Sequence, residues 1–175
     1  DPPDPVGWTP ISQGATRTIG SLVGDNGSSV TSCATSTRNL LAFTGDFTGY
    51  REPDGSVHSA DKAVVIDAKN GQFLWGASSV NGWVQSSHCA LGKIFFGGVF
   101  TTFNGQSRNR VAAISASSLA LTTWQPPTVG TVWSIDSEGG DVFLATGNQV
   151  KRVTTSGTQV WERGFDCAVR TVLPI

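Results

Sequence analysis

Two histidines, three cysteines and a scatter of carboxylates are the groups in this chain that could do chemistry. His58 and His88 stand alone: neither has a partner one helical turn away or a cysteine pair beside it, so the spacing supports no zinc site. His88 follows Ser86 and Ser87, which raises a serine hydrolase. Adjacent strand residues point to opposite faces, however, and no G-x-S-x-G elbow accompanies them. Asp46, Asp67 and Asp136 fall in different strand contexts and do not pair as acid and base. The run GDNGSS, residues 24–29, reads as a turn. It lacks the further acidic positions that an EF-hand loop brings to calcium. No catalytic residue, metal ligand or cofactor is therefore assigned.

Binding groups are better represented. The longest polar insertion, TGYREPDGSVHSADK, carries Tyr50, Arg51, Asp54 and His58. A second, FTTFNGQSRNR, carries Asn104, Arg108 and Asn109. Long loops on a rigid frame collect binding groups because the frame holds them while the loop varies; the plain alternative is a solvated hairpin tip. The corresponding connection downstream is only about three residues, GNQ. Two tall loops beside a low one make a notch that a protein partner or a glycan could enter. Trp83 and Trp133, at or beside the starts of inner strands, could stack on sugars or fill space between layers.

These loops need strands to hold them. Lys93 to Trp124 holds three strand-like runs, KIFFGGVF, RVAAIS and ALTTW, parted by turn residues, which is the grammar of an antiparallel meander. LLAFTGDFTGY followed by KAVVIDAKNGQFLW runs through the same order upstream, and DVFLATGNQVKRVTTSGTQVW repeats it in shortened form. Phe43 and Phe96 are equivalent at a spacing of 53 residues, and Trp75, Trp124 and Trp161 are spaced by 49 and 37. Trp83, Val132 and Val169 each lie eight residues after the preceding tryptophan of that series. Periods of roughly 40 to 50 residues built only of short strands belong to radial propellers, whereas a helical solenoid would show apolar residues at three-and-four spacing. The pattern predicts inner strands at Val30–Cys33, Val84–Cys89, Val132–Asp136 and Val169–Leu173, and the recurring tryptophans are expected between blades.

GGVFTTFNGQSRNRVAAIS resembles the blade repeat of bacterial secreted and phage virion β-propellers, the delta-60-like repeats. AVVIDAKNGQFLW and VKRVTTSGTQVW are similar to the outer strands of the quinoprotein-type repeat. The likeness spans roughly Ser29 to Ile175. It implies an all-β fold of four-stranded antiparallel blades, about three of them plus an extra strand, within 29–175. Residues 1–28 would be a proline-rich lead-in and possible outer strands of a neighbouring blade. In the related repeats the arginine of this motif mostly braces loop carbonyls, a role that competes with ligand contact for Arg108. The resemblance implies a non-catalytic recognition or structural module on an extracellular, cell or virion surface. Its alternative is a fragment of a quinoprotein-like enzyme, for which three dispersed cysteines and few blades are a poor match.

Composition fits this reading: 21 glycines, six tryptophans and nine phenylalanines, with 14% charged residues, suit an all-β chain rich in tight turns. A net charge of −1 without charge blocks gives no footprint for nucleic acid, and no run of about 20 apolar residues suggests membrane insertion. A closed propeller has four or more blades. Other chain segments or subunits are therefore expected to complete this one and cover its open edges. Cys33 and Cys89 fall at the far ends of inner strands and should share a rim, whereas Cys167 precedes an inner strand and should lie on the opposite one. If any pair is oxidised it is Cys33 with Cys89; three buried thiols are the alternative.

Overall fold

The computed structural model describes residues 11–12, 15–16, 20–128 and 130–173, so the lead-in at 1–10 lies outside the described residues. The chain is all-β and antiparallel, with no helix among the described residues. A short pair, β1 (Ile11–Ser12) and β2 (Ala15–Thr16), precedes three sheets.

The first sheet runs β3 (Ser21–Ala34), β4 (Asn39–Arg51), β6 (Ala63–Asp67) and β7 (Phe73–Gly76), with β5 (Val57–Ser59) paired to the far half of β4. The second runs β8 (Val84–Ala90), β9 (Lys93–Gly98) and β12 (Val111–Ser115). Its fourth strand shrinks to the single bridge Ile114–Leu121, because the chain turns away into Pro126 and Pro127, which cannot donate to a ladder. A two-residue hairpin, β10 (Thr102–Phe103) and β11 (Gln106–Ser107), stands between β9 and β12. The third sheet is a complete meander, β13 (Val132–Glu138), β14 (Asp141–Thr146), β15 (Gln149–Thr154) and β16 (Gln159–Gly164).

Side-chain alternation decides the packing. In the central strands both faces are apolar, as strands covered on both sides require. Leu40, Ala42 and Val65 point forward from the first sheet and meet Ile94 and Phe96 of the second and Phe103 of the hairpin beside it. Phe95, Val111 and Ala113 point forward from the second and meet Val142, Leu144 and Ile135 of the third. The sheets thus stack in chain order, the first two each burying a forward face against the next.

The backward face of the first sheet has its own cover. β3 and β4 run on as a hairpin well past the sheet, and three register shifts, between Val23 and Ser29, bend it. Bulges add residues to one strand and increase its twist; Gly24, at φ +115°, supplies a conformation that other residues resist. The bent hairpin folds back, so Leu22, Phe47, Tyr50 and Ala60 close over Leu41, Phe43, Val64 and Ile66. Gly76 allows the close approach, since a Cβ there would sit 2.7 Å from that of Ala60.

Three expectations are corrected here. Residues 21–23, expected among possible outer strands of a neighbouring blade, instead continue the same strand as Val30–Cys33. The run GDNGSS is not a turn but the bulged middle of that strand. Val169–Leu173 forms no strand: among the described residues its backbone joins no ladder, and its contacts are Val169 N–H donating to Gly147 O at 2.7 Å and Val172 N–H donating to Ser134 Oγ of β13 at 3.4 Å.

Candidate functional site

The tip of the folded-back hairpin is held at several points. Tyr50 is buried, and its hydroxyl donates to Gly71 O at 2.7 Å in the turn between β6 and β7. Burial first, and the Glu52 carboxylate second, push its phenol well above the ordinary range. Glu52 Oε1 accepts the Phe73 N–H at 2.8 Å and lies 3.1 Å from His58 Nε2. The imidazole in turn stacks on Phe73 at 4.3 Å with the rings 4° from parallel. Beyond these anchors stand the exposed residues Arg51, Asp54 and Val57. Arg51 donates to Gly55 O at 3.2 Å, and Asp54 Oδ1 accepts the Ser56 N–H at 2.8 Å. That backbone hydrogen bond is the main reason the Asp54 carboxyl lies below its usual range.

The base of the first long loop and the Asn104 turn of the second both bond to the segment between them. Asp61 N–H donates to Ala77 O at 2.7 Å, Val80 N–H donates to Asp61 Oδ2 at 2.7 Å, and Ser78 N–H donates to Asn104 Oδ1 at 2.8 Å. The 77–81 segment therefore ties the first loop to the second. The tip itself lies over the backward face of the first sheet instead of rising beside Asn104. The expected notch is not built from two tall loops.

Sequence reasoning grouped seven residues that the structure sorts by role. Arg108 is 8% exposed and braces the Ser107 and Thr122 carbonyls, each at 2.7 Å. Its Nε has no hydrogen-bond partner. Asn109 Nδ2 donates to Thr128 O at 2.8 Å, and the Thr128 hydroxyl donates back to Asn109 O. Asn104 adopts φ +51° to receive Ser78. Tyr50, Asn104, Arg108 and Asn109 are thus committed to bracing the loops, and Arg51, Asp54 and half-exposed His58 remain open to a partner.

The first strands of the three sheets, β3, β8 and β13, approach one another. Ser29 Oγ and Ser87 Oγ lie 2.9 Å apart between β3 and β8, and Cys33 and Cys89 are joined by a disulfide with Cα atoms 5.4 Å apart. Cys167 is exposed and unbonded. Between β8 and β13, His88 Nε2 lies 2.8 Å from Ser137 Oγ and 3.6 Å from Asp136 Oδ1. Serine and carboxylate address the same ring nitrogen, whereas a hydrolase relay needs them on opposite nitrogens. Burial holds the His88 imidazole below its ordinary range, against the pull of Asp136. Among the described residues no group of three or more His, Cys, Asp or Glu stands close enough to hold a metal.

The forward face of the third sheet is a feature that loop reasoning missed. Trp75 pairs across its sheet with Val65 and lies 6.0 Å from Phe96 of the next sheet and 6.2 Å from Phe103 of the β10–β11 hairpin. Trp124 is buried, edge-on to Phe95 at 4.8 Å. Trp161 pairs with Arg152, which pairs with Phe143, so it occupies the row of Trp75, yet among the described residues its face meets no further sheet. Phe143, Val150 and Trp161 are half-buried there, and Arg152 is ion-paired to Asp141 at 2.6 Å. Arg163 lies 5.6 Å over Trp161, and Arg170 lies 4.3 Å over Trp133. The signal in the sequence was the tryptophan register itself.

No family model matches the chain, and no curated protein matches it. Among solved structures, one described as the crystal structure of BBS1N in complex with ARL6DN, soaked with mercury, is similar with a TM-score of 0.43 and 11% identity. The match covers 79% of this chain and 40% of that one, so the chain spans less than half the length of that structure's chain.

Proposed function

We propose that the chain is an arc of β-propeller blades, of the kind found in secreted and virion repeat proteins, and that it works as a non-catalytic recognition or structural module on an extracellular, cell or virion surface. The observation that carries this reading is the forward face of the third sheet. Trp75 and Trp124 are covered by the sheet that follows, whereas Trp161, in the same register, lies uncovered beside Phe143 and Val150. A face with that register suits another antiparallel sheet, supplied by further chain or by a partner protein. Val169–Leu173 lies where the inner strand of such a sheet would begin, hydrogen-bonded along one side.

Two further features support the reading. The Cys33–Cys89 disulfide suits an oxidising compartment. The anchored hairpin holds Arg51, Asp54 and His58 in fixed positions at little entropic cost, which is how rigid frames present recognition groups. A photoactivatable side chain at Val150, introduced in the producing organism, tests the proposal. The reading expects adducts that map to a β-strand and disappear when Trp161 is replaced by arginine. Position 150 remaining unlinked in the native assembly would overturn it.

A further inference from the structure

A cavity of about 280 Å³ opens on the rim that carries the disulfide, between the β3–β4 turn and the β6–β7 turn. Its lining includes Thr35, Ser36, Thr37, Arg38, Asp67 and Lys69, and every lining side chain is polar. The backbones of the two turns are held by hydrogen bonds. Thr35 Oγ1 accepts the Thr37 and Arg38 N–H groups at 3.3 and 3.0 Å and donates to Arg38 O at 3.1 Å. Asn39 O accepts the Ala68 N–H at 2.8 Å, tying one turn to the other.

The charges in the cavity are unequally used. Asp67 Oδ1 is engaged by the Lys69 N–H at 2.8 Å. Among the described residues, neither the Arg38 guanidinium nor the Lys69 ammonium forms an ion pair, and both residues are exposed. Two cations against one carboxylate leave the cavity with a net positive charge, which suits a single negative group placed on the cations and away from Asp67. The Ser36 and Thr37 hydroxyls and the Asn39 amide can both donate and accept, so they suit the hydroxyls that surround such a group on a sugar ring. The volume falls just under the range of drug-sized pockets, roughly 300 to 1,000 Å³, and so fits one ring better than an extended ligand.

We infer that this cavity is a binding site for an acidic monosaccharide unit, a uronic acid or a sulfated hexose, with Arg38 and Lys69 on the anion and the turn hydroxyls on the ring. No aromatic side chain lines it, so recognition rests on charge and hydrogen bonds, and a single unit binds in the range of about a millimolar. The site is on a different surface from Trp161 and does not depend on a sheet docking there.

The test titrates the disulfide-intact chain with glucuronic acid, glucose 6-sulfate, glucose and inorganic sulfate, following backbone amide shifts by NMR. The two acidic sugars should move the Thr37, Arg38 and Lys69 amides, with glucose weaker by about tenfold or more, because it lacks the charge-assisted hydrogen bond. Arg38→Gln and Lys69→Gln should each weaken the acidic sugars by about tenfold, and Trp161→Ala should leave them unchanged. Inorganic sulfate binding as tightly as glucose 6-sulfate would overturn the sugar assignment. Absent shifts, or variants that bind like the parent, would overturn the site.

Discussion

The Tyr50 hydroxyl reaches Gly71 O at 2.7 Å and so fastens the end of a long hairpin to the far turn of the sheet it covers. Tyr50→Phe keeps the ring and leaves a buried carbonyl short of a donor, which costs about 1 to 3 kcal/mol. The expected result is a lower denaturation midpoint together with faster amide exchange in residues 47–60, while residues 94–114 keep their protection. Equal loosening in both regions would show that the hairpin is not a separable cover.

The Cys33–Cys89 bond closes a span of 56 residues between β3 and β8. On the chain-entropy account a loop of that length stabilises by about 4 kcal/mol. Reduction, or the double change Cys33→Ala with Cys89→Ala, should lower the urea midpoint accordingly. Peptide mapping without reductant should find Cys167 outside the bond. A link from Cys167 to either partner would contradict the strand order.

His88 provides a pH dependence with a defined sign. Its imidazole is depressed in the folded chain, so the unfolded chain binds the proton more readily. Stability from this group is complete above the unfolded value of about 6.5 and is lost as pH falls toward the folded value. Asp136 and the Ser137 hydroxyl are the polar groups that face it. Urea midpoints should fall between pH 7.5 and pH 5.5, and His88→Gln should flatten that slope. A parent slope of opposite sign would contradict the burial argument.

Tryptophans in one register should differ in cost. Trp124→Ala empties a site that is 2% exposed between two sheets, and should destabilise by about 3 to 5 kcal/mol. Trp161→Ala removes a ring from a face with no sheet over it and should cost about 1 kcal/mol in the isolated chain. Chemical denaturation of the two variants checks the contrast; equal losses would mean that Trp161 is already covered.

Much of this architecture is legible from spacing. The eight-residue step from tryptophan marks the strands that begin at Val84, beside Trp83, and at Val132, the pattern also expects a strand at Val30, and the position of Cys33 and Cys89 at strand ends foreshadows their bond. The folded-back hairpin is not legible, because its course depends on bulges at Gly24 and Gly27 that read as turn residues, and on contacts from Tyr50 and Glu52 to residues 71 and 73. Val169–Leu173 has the composition of a strand, but a strand exists only where another pairs with it. The polar loops drew attention for their length, yet length did not separate Arg108 and Asn109, which brace carbonyls, from Arg51 and Asp54, which stand in solvent.

Hydrogen–deuterium exchange on residues 141–173, in the isolated chain and in the assembly purified from its producing organism, tests the docking face most directly. The account predicts that protection in the assembly rises at Phe143, Arg152, Trp161 and Val169–Leu173 while the exposed turn at 35–38 is unaffected. Unchanged exchange across the forward face, in an assembly that retains the chain, would contradict it.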